Sequence, residues 1–216
     1  VAKPPVADGI RTAPRYDFST GAVDTGVFPY ASWAKLSREV VSGNPGLLQR
    51  GEAQGDMAFR QALCEFLREY RGVRCQPDQI VVGAGLEYLL NVLVQVLPEN
   101  SVFGLEDPGY YAAWQVLRNH GRACRMIPLD DSGLREDKLR KSGATVAYVT
   151  PSHQFPMGCT MQVSRRAALL SWAGEDENRF IVEDDYDSEF RYASRPIPAM
   201  QSLDDGGKVI YVGTFS

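Results

Sequence analysis

Phe180-Ile-Val-Glu-Asp-Asp-Tyr-Asp187 sets three apolar residues directly before four carboxylates spread over five positions. A short apolar run bounded by polar residues reads as a buried strand. The carboxylates after it repel one another and cost stability unless something cationic lies nearby. A metal ion would need further well-placed oxygen or nitrogen ligands. A protonated ring nitrogen would need one buried carboxylate, with a tyrosine two residues on to donate to a ring oxygen. A solvated loop would need neither, and all three readings stay open at this point.

The same arrangement recurs along the chain. Apolar runs near 79–82, 101–105, 124–127, 145–149 and 209–212 read as strands, and most end in a polar cluster. The clusters are Gly83-Ala-Gly85, Glu106-Asp-Pro-Gly-Tyr110, Thr150-Pro-Ser-His153 and Gly213-Thr-Phe-Ser216. Helical periodicity predicts helices between them: from 29 to 43 through Trp33, Leu36 and Val40, and from 59 to 70 with Gly72 as its stop. Further helices are expected to end at Leu97, to run over 110–119 and 164–173, and, more weakly, over 134–141. Alternating strands and helices with apolar strand cores make a parallel or mixed sheet covered on both faces. Ligands of such sheets sit where strands end and helices begin.

Composition narrows the class. At 44% hydrophobic and 23% charged residues the chain is that of a globular protein, not a disordered, collagen-like or coiled-coil one. The longest apolar run, 88–97, is interrupted by Asn91 and Gln95 and is about half a membrane span. No secretory signal pattern opens the chain. A net charge of −4 argues against a nucleic-acid-binding module in its own right. The four cysteines form no C-x-x-C pair and have two histidines to help them, so no zinc site is expected; they read as thiols in a reducing cytoplasm. Residues 1–15, with three prolines and no periodicity, read as a linker or arm.

Two clusters carry specific chemistry. Glycines at Gly83 and Gly85 let backbone N–H groups and a helix N-terminus approach an anion such as phosphate, although a strand-to-helix turn also asks for glycine on geometric grounds. Tyr110 places a ring at a helix start just past a strand. It reads either as a core tyrosine after a turn or as a flat surface for a flat heterocycle.

Taken together, Glu106-Asp-Pro-Gly-Tyr110, Thr150-Pro-Ser-His-Gln-Phe-Pro156, Glu183-Asp-Asp-Tyr-Asp-Ser-Glu-Phe-Arg-Tyr192 and Tyr211-Val-Gly-Thr-Phe-Ser216 resemble the fold type I, aspartate-aminotransferase-like enzymes that use pyridoxal 5′-phosphate (PLP). More narrowly they resemble the aminotransferase-like domain of MocR-type transcription regulators of the GntR class. The resemblance runs over roughly residues 16 to 216, and the run from Glu183 is its most specific part.

The resemblance implies an α/β fold, a PLP-transferase large domain with a mostly parallel, seven-stranded-type sheet between helices, incomplete at its C-terminus. It divides the chain into the arm 1–15, a segment 16–45 packing on the PLP domain, and the PLP-binding domain 46–216. It gives Gly85, Leu86 and Glu87 backbone contacts to the cofactor phosphate, and Tyr110 a stacking role on the pyridine ring. Asp184 would pair with the ring nitrogen and Tyr186 would donate to the phenolic oxygen. Thr214 and Ser216 would help hold the phosphate, and His153, with Gln154, would lie beside the phenolic oxygen.

Two departures stand out. Arg50-Gly-Glu-Ala-Gln-Gly55 replaces the family's frequent Tyr-Gly-Asp-Pro-x-Gly, whose tyrosine reaches the partner subunit's phosphate; Arg50 would do so as a cation. The Schiff-base lysine is expected immediately after Ser216, so the sequence reads as part of a longer chain.

The resemblance implies a PLP-binding, effector-sensing domain of a cytoplasmic regulator that responds to an amino-compound or to PLP itself. It would be a homodimer, would reach DNA only through a separate N-terminal helix-turn-helix domain, and would have no membrane segment. The alternative is a working PLP-dependent aminotransferase of amino acids and 2-oxo acids.

Overall fold

The computed structural model describes Tyr16 and residues 24–187 and 198–214, in two compact units, Val1–Arg50 and Gly51–Ser216. In the first unit, helix α1 (Tyr30–Gly43) starts after Pro29, where the Phe28 ring meets Tyr30 edge-on at 4.9 Å. It stops where Asn44 returns both its backbone N–H and its side-chain amide to the Val40 carbonyl, ahead of Pro45.

The second unit opens with α2 (Met57–Arg71). Asp56 Oδ1 accepts from the Ala58 N–H at one end, and Gly72 in the left-handed conformation closes the other. There follow α3 (Leu86–Val96), β1 (Val102–Asp107), α4 (Tyr111–Asn119), β2 (Ala123–Asp130), β3 (Gly133–Leu134) and α5 (Glu136–Lys141). The unit continues with β4 (Val146–Val149), α6 (Val163–Gly174), β5 (Phe180–Asp185) and β6 (Val209–Gly213). The described residues build a six-stranded sheet in the order β3-β2-β1-β4-β5-β6. Every neighbouring pair is parallel except β2 with β3. No helix among the described residues is long and apolar enough to cross a membrane.

The side-chain period of two divides the core. Phe103, Leu105, Val146, Tyr148, Val182 and Val212 face one way, against Leu90 and Val94 of α3 and Leu117 of α4. Ala147, Val149 and Ile181 face the other, against Leu139 of α5 and Leu169 and Trp172 of α6. Gly104 is a glycine because a Cβ there would sit 2.7 Å from Leu139 Cδ1.

Two expectations need correction. The segment 79–82 is not a strand: Pro77–Gln79 makes a 3-10 turn, and Ile80 is extended. Extended residues become a strand only when a neighbour completes the ladder, and among the described residues Val82 N–H finds only the Gln54 carbonyl, at 2.9 Å. The helix expected from Leu134 begins at Glu136, because Leu134 is drawn fully into the core as an antiparallel edge against Leu129.

Leu169 is fully enclosed between α6 and the sheet. Leu169→Ala should lower unfolding free energy in urea by about 2–5 kcal/mol, whereas Val163→Ala, at an exposed site on the same helix, should stay within ~0.5 kcal/mol of wild type.

Candidate functional site

The parallel strands β1, β4, β5 and β6 finish at one edge of the sheet, where α3 and α4 begin. A cleft of about 230 Å³ opens there. Asp184 and Thr214 come from the β5 and β6 ends, Thr150 and Phe155 from the loop after β4, and Tyr110 and Leu86 from the helix starts, with Tyr186 alongside.

The pleat of β5 gives the clustered carboxylates different partners. Glu183 and Asp185 point to the α6 face. Glu183 accepts from the backbone N–H groups of Met200 and Gln201 at 2.6 and 2.9 Å, at the start of a 3-10 turn. Asp185 takes a two-pronged ion pair from Arg71 at 2.8 and 3.1 Å and the Tyr211 hydroxyl at 2.5 Å. Arg71 also donates to Ser152 Oγ at 2.7 Å. Asp187, past the strand end, meets His153 Nδ1 at 2.5 Å.

Asp184 alone turns to the α3 and α4 face and into the cleft. Its Oδ2 accepts from the buried Tyr148 hydroxyl, while its buried Oδ1 has no partner among the described residues. Burial pushes its carboxyl up to about 6, against the pull of the Tyr148 hydrogen bond, with Asp185 and Asp187 adding to the rise. An anion in this position is short of one donor, and a cationic donor serves best.

The walls of the cleft are tied together by Glu106. Its Oε2 accepts from Thr150 Oγ1 at 2.7 Å and Gln154 Nε2 at 3.1 Å, and Gln154 Nε2 also donates to the Pro108 carbonyl at 3.0 Å. Thr150 Oγ1 in turn accepts from the Phe155 N–H at 3.2 Å. Tyr110 and Phe155 stand edge to face at 6.1 Å. Gly109 permits the turn, since a Cβ there would lie 2.3 Å from the Glu106 carbonyl oxygen. Burial pushes Glu106 itself up to about 7, and its Oε1 is buried without a partner among the described residues.

On the far wall Gly85, at φ 90°, precedes the first residue of α3 and leaves open space where a side chain would stand. The first N–H groups of a helix have no intrahelical acceptor and favour anions.

Of the residues singled out in the sequence, Leu86, Tyr110, Asp184, Tyr186 and Thr214 therefore converge on one cleft, with Gly85 and Glu87 at its helical rim. His153 lies outside its lining, stacked 6.0 Å from Tyr186 and bonded to Asp187. Gln154 is buried as a loop tie. Arg50 is exposed at the end of the first unit, and Ser216 lies outside the described residues. Tyr148, Thr150, Phe155 and Glu106 are additions that the sequence reading did not assign to the site. Tyr148 shares the face of Asp184 one strand over, a signal readable only once the strand order is known. Among the described residues no group of three or more His, Cys, Asp or Glu side chains is placed to hold a metal ion.

A strand-end cleft with an orphaned buried aspartate, an aromatic wall and a helix N-terminus, on a mostly parallel sheet, defines an α/β domain built around a small-molecule site. The chain belongs to the aminotransferase class I and II family, which it matches over residues 15–216. It is 41% identical over 201 residues to the uncharacterized HTH-type transcriptional regulator YdeL of Bacillus subtilis (strain 168), covering 93% of this chain and 43% of that one. It is 39% identical over 210 residues to the probable rhizopine catabolism regulatory protein MocR of Rhizobium meliloti, covering 95% and 42%. The chain thus spans less than half the length of these curated relatives. Among solved structures it resembles the kynurenine aminotransferase of Pyrococcus horikoshii in complex with PMP, at 30% identity and a TM-score of 0.79, covering 88% of this chain and 49% of that one.

The folded protein holds protons on Glu106, Glu183 and Asp184 to higher pH than the unfolded chain does. Stability from these groups is therefore present at low pH and falls as pH rises through the range from the ordinary carboxylate values to about 7. Glu106→Gln should remove up to about 3 kcal/mol of that fall, at ~1.4 kcal/mol for each tenfold gain in proton affinity on folding. Urea unfolding of wild type and variant at about pH 5 and about pH 8 checks it; an equal loss of stability in both proteins would show that Glu106 ionises normally.

Proposed function

We propose that this domain binds PLP in the strand-end cleft and serves as the effector-sensing part of a MocR-type transcription regulator. The observation that carries the cofactor is the unpartnered, buried Oδ1 of Asp184. A protonated pyridine nitrogen would supply both the donor and the positive charge that this oxygen lacks, and would draw the Asp184 proton equilibrium back toward the anion. Tyr110 and Phe155 offer flat apolar surface for the ring, and the hydroxyl of Tyr186, which lines the same cleft, would donate to the ring's phenolic oxygen. The backbone N–H groups at Gly85, Leu86 and Glu87, with Thr214 and Ser216, would hold the phosphate at the start of α3. When bound, PLP supplies an electron-withdrawing ring and a carbonyl reactive toward amines.

His153 contributes through Tyr186 in this reading. Its Nδ1 lies 3.3 Å from the Tyr186 hydroxyl and 2.5 Å from Asp187, so it sets where that hydroxyl points. Arg50 would reach the phosphate of the partner subunit in a homodimer. Residues 1–15 would link to the DNA-binding domain, 16–45 would pack on the PLP-binding domain, and 46–216 would be that domain itself. The whole protein would work in the cytoplasm, meeting DNA through its separate N-terminal domain.

The regulator reading is favoured by identities of 41% and 39% to two regulators along nearly the whole of this chain. The alternative, a PLP-dependent aminotransferase of amino acids and 2-oxo acids, is supported by the 30% identity to the kynurenine aminotransferase. The two part on what the full-length chain does. A regulator retards a DNA fragment from its own promoter region and changes that binding when PLP or an amine is added. An aminotransferase turns over amino acid and 2-oxo acid pairs and leaves DNA unbound.

Two substitutions test the site in the full-length protein by equilibrium dialysis against PLP. Asp184→Asn should loosen PLP by about 1.5–3 kcal/mol, the scale of a charge-assisted hydrogen bond. Tyr110→Ala should cost ~0.5–1.5 kcal/mol beyond the area lost, and Tyr110→Phe should recover most of it. Unchanged affinity in the Asp184 variant would remove the ring-nitrogen assignment, and a Phe variant as weak as Ala would remove the stacking one.

A further inference from the structure

Cys64 sits midway along α2, and Cys75 lies just beyond the turn that Gly72 makes at the end of that helix. Their sulfurs approach to 3.9 Å, and the Cys64 thiol donates to the Cys75 carbonyl at 3.1 Å. Both side chains are half-buried, neither sealed in the core nor standing in open solvent. A disulfide has its sulfurs about 2.05 Å apart, so closure asks for a small convergence of two side chains already in contact. Neither remaining cysteine is so placed. Cys124 lies on β2 with its thiol toward the Arg122 carbonyl, and Cys159 lies in the loop after β4.

We propose that Cys64 and Cys75 form a dithiol site that closes reversibly to a disulfide by exchange with a small-molecule disulfide. This site is independent of the cofactor reading. One protein thiolate attacks a sulfur of the external disulfide, whose S–S bond breaks and releases one small thiol. The second protein thiolate then attacks the protein sulfur of the mixed disulfide and expels the other small thiol. The protein gives up two protons and two electrons, and the external disulfide leaves as two thiols. Burial, with the hydrogen bond to Cys64, pushes the Cys75 thiol up to about 11, so exchange is slow at neutral pH and quickens as pH rises.

The ring that closes encloses Arg71 and Arg74. Arg71 carries the ion pair to Asp185 beside the cleft aspartate, and Arg74 bonds the Gln201 side chain and the Asp204 carbonyl. The disulfide would tie the segment past Gly72, which carries Arg74, back to the helix whose last residue is Arg71.

The experiment treats the full-length protein with oxidised glutathione at mildly alkaline pH, alkylates the remaining thiols and maps the peptides by mass spectrometry. The expected result is loss of two alkylatable thiols and a dominant cross-link between the Cys64 and Cys75 peptides, reversed by dithiothreitol. Cys64→Ser and Cys75→Ser should each instead carry one glutathione on the surviving partner. Near-ultraviolet circular dichroism unchanged on oxidation would tie the cross-link to the folded state. Wild-type Cys64 and Cys75 that are alkylated singly, each capped by glutathione without a cross-link, or joined to other cysteines, would overturn the proposal. So would a cross-link that appears only with loss of the near-ultraviolet signal.

Discussion

The pleat of β5 is the constraint on which the rest of this site depends. Four acids packed into five positions would be hard to fold if they shared one face. A period of two sends Glu183 and Asp185 to the α6 side, where backbone donors and Arg71 satisfy them, and leaves Asp184 alone on the other. That single inward carboxylate becomes a specific electrostatic demand because its neighbours have been taken care of elsewhere. The Arg71–Asp185 pair is itself buried, and removing one member of such a pair costs far more than the pair contributes. Its place is to hold the strand end so that Asp184 faces one way only.

Much of the architecture could be read from the chain because strand and helix periods are local. The apolar runs at 101–105, 145–149, 180–182 and 209–212 all became strands, and Gly72 ended α2 as its left-handed conformation requires. The segment 79–82 failed for a non-local reason: its apolar pattern fits a strand, but no neighbouring strand among the described residues completes a ladder with it. The short edge at Gly133–Leu134 escaped because two residues carry no period at all.

The site was legible in a similar way. Residues whose type states a chemistry, Asp184, Tyr110 and Tyr186, stood out beside strand ends, and the glycines marked the helix start. The supporting residues did not, because their meaning is relational. Tyr148 looks like a strand-core tyrosine until β4 is set beside β5, and Glu106 looks like one more acid in a turn until Thr150 and Gln154 are brought to it. His153, which the resemblance puts beside the phenolic oxygen, bonds Asp187 and lies within reach of the Tyr186 hydroxyl, outside the lining of the cleft itself.

The bonds that Glu106 gathers also set how the cleft yields under load. Because Thr150, Gln154 and the Pro108 carbonyl share one knot, the loops bearing Tyr110 and Phe155 cannot be spread apart without breaking buried hydrogen bonds. That side is stiff. The opposite side, at Gly85, has no side chain, and none of the described residues is packed where one would be. The room in the cleft therefore lies toward the start of α3, and the closed side is the one that Glu106 ties.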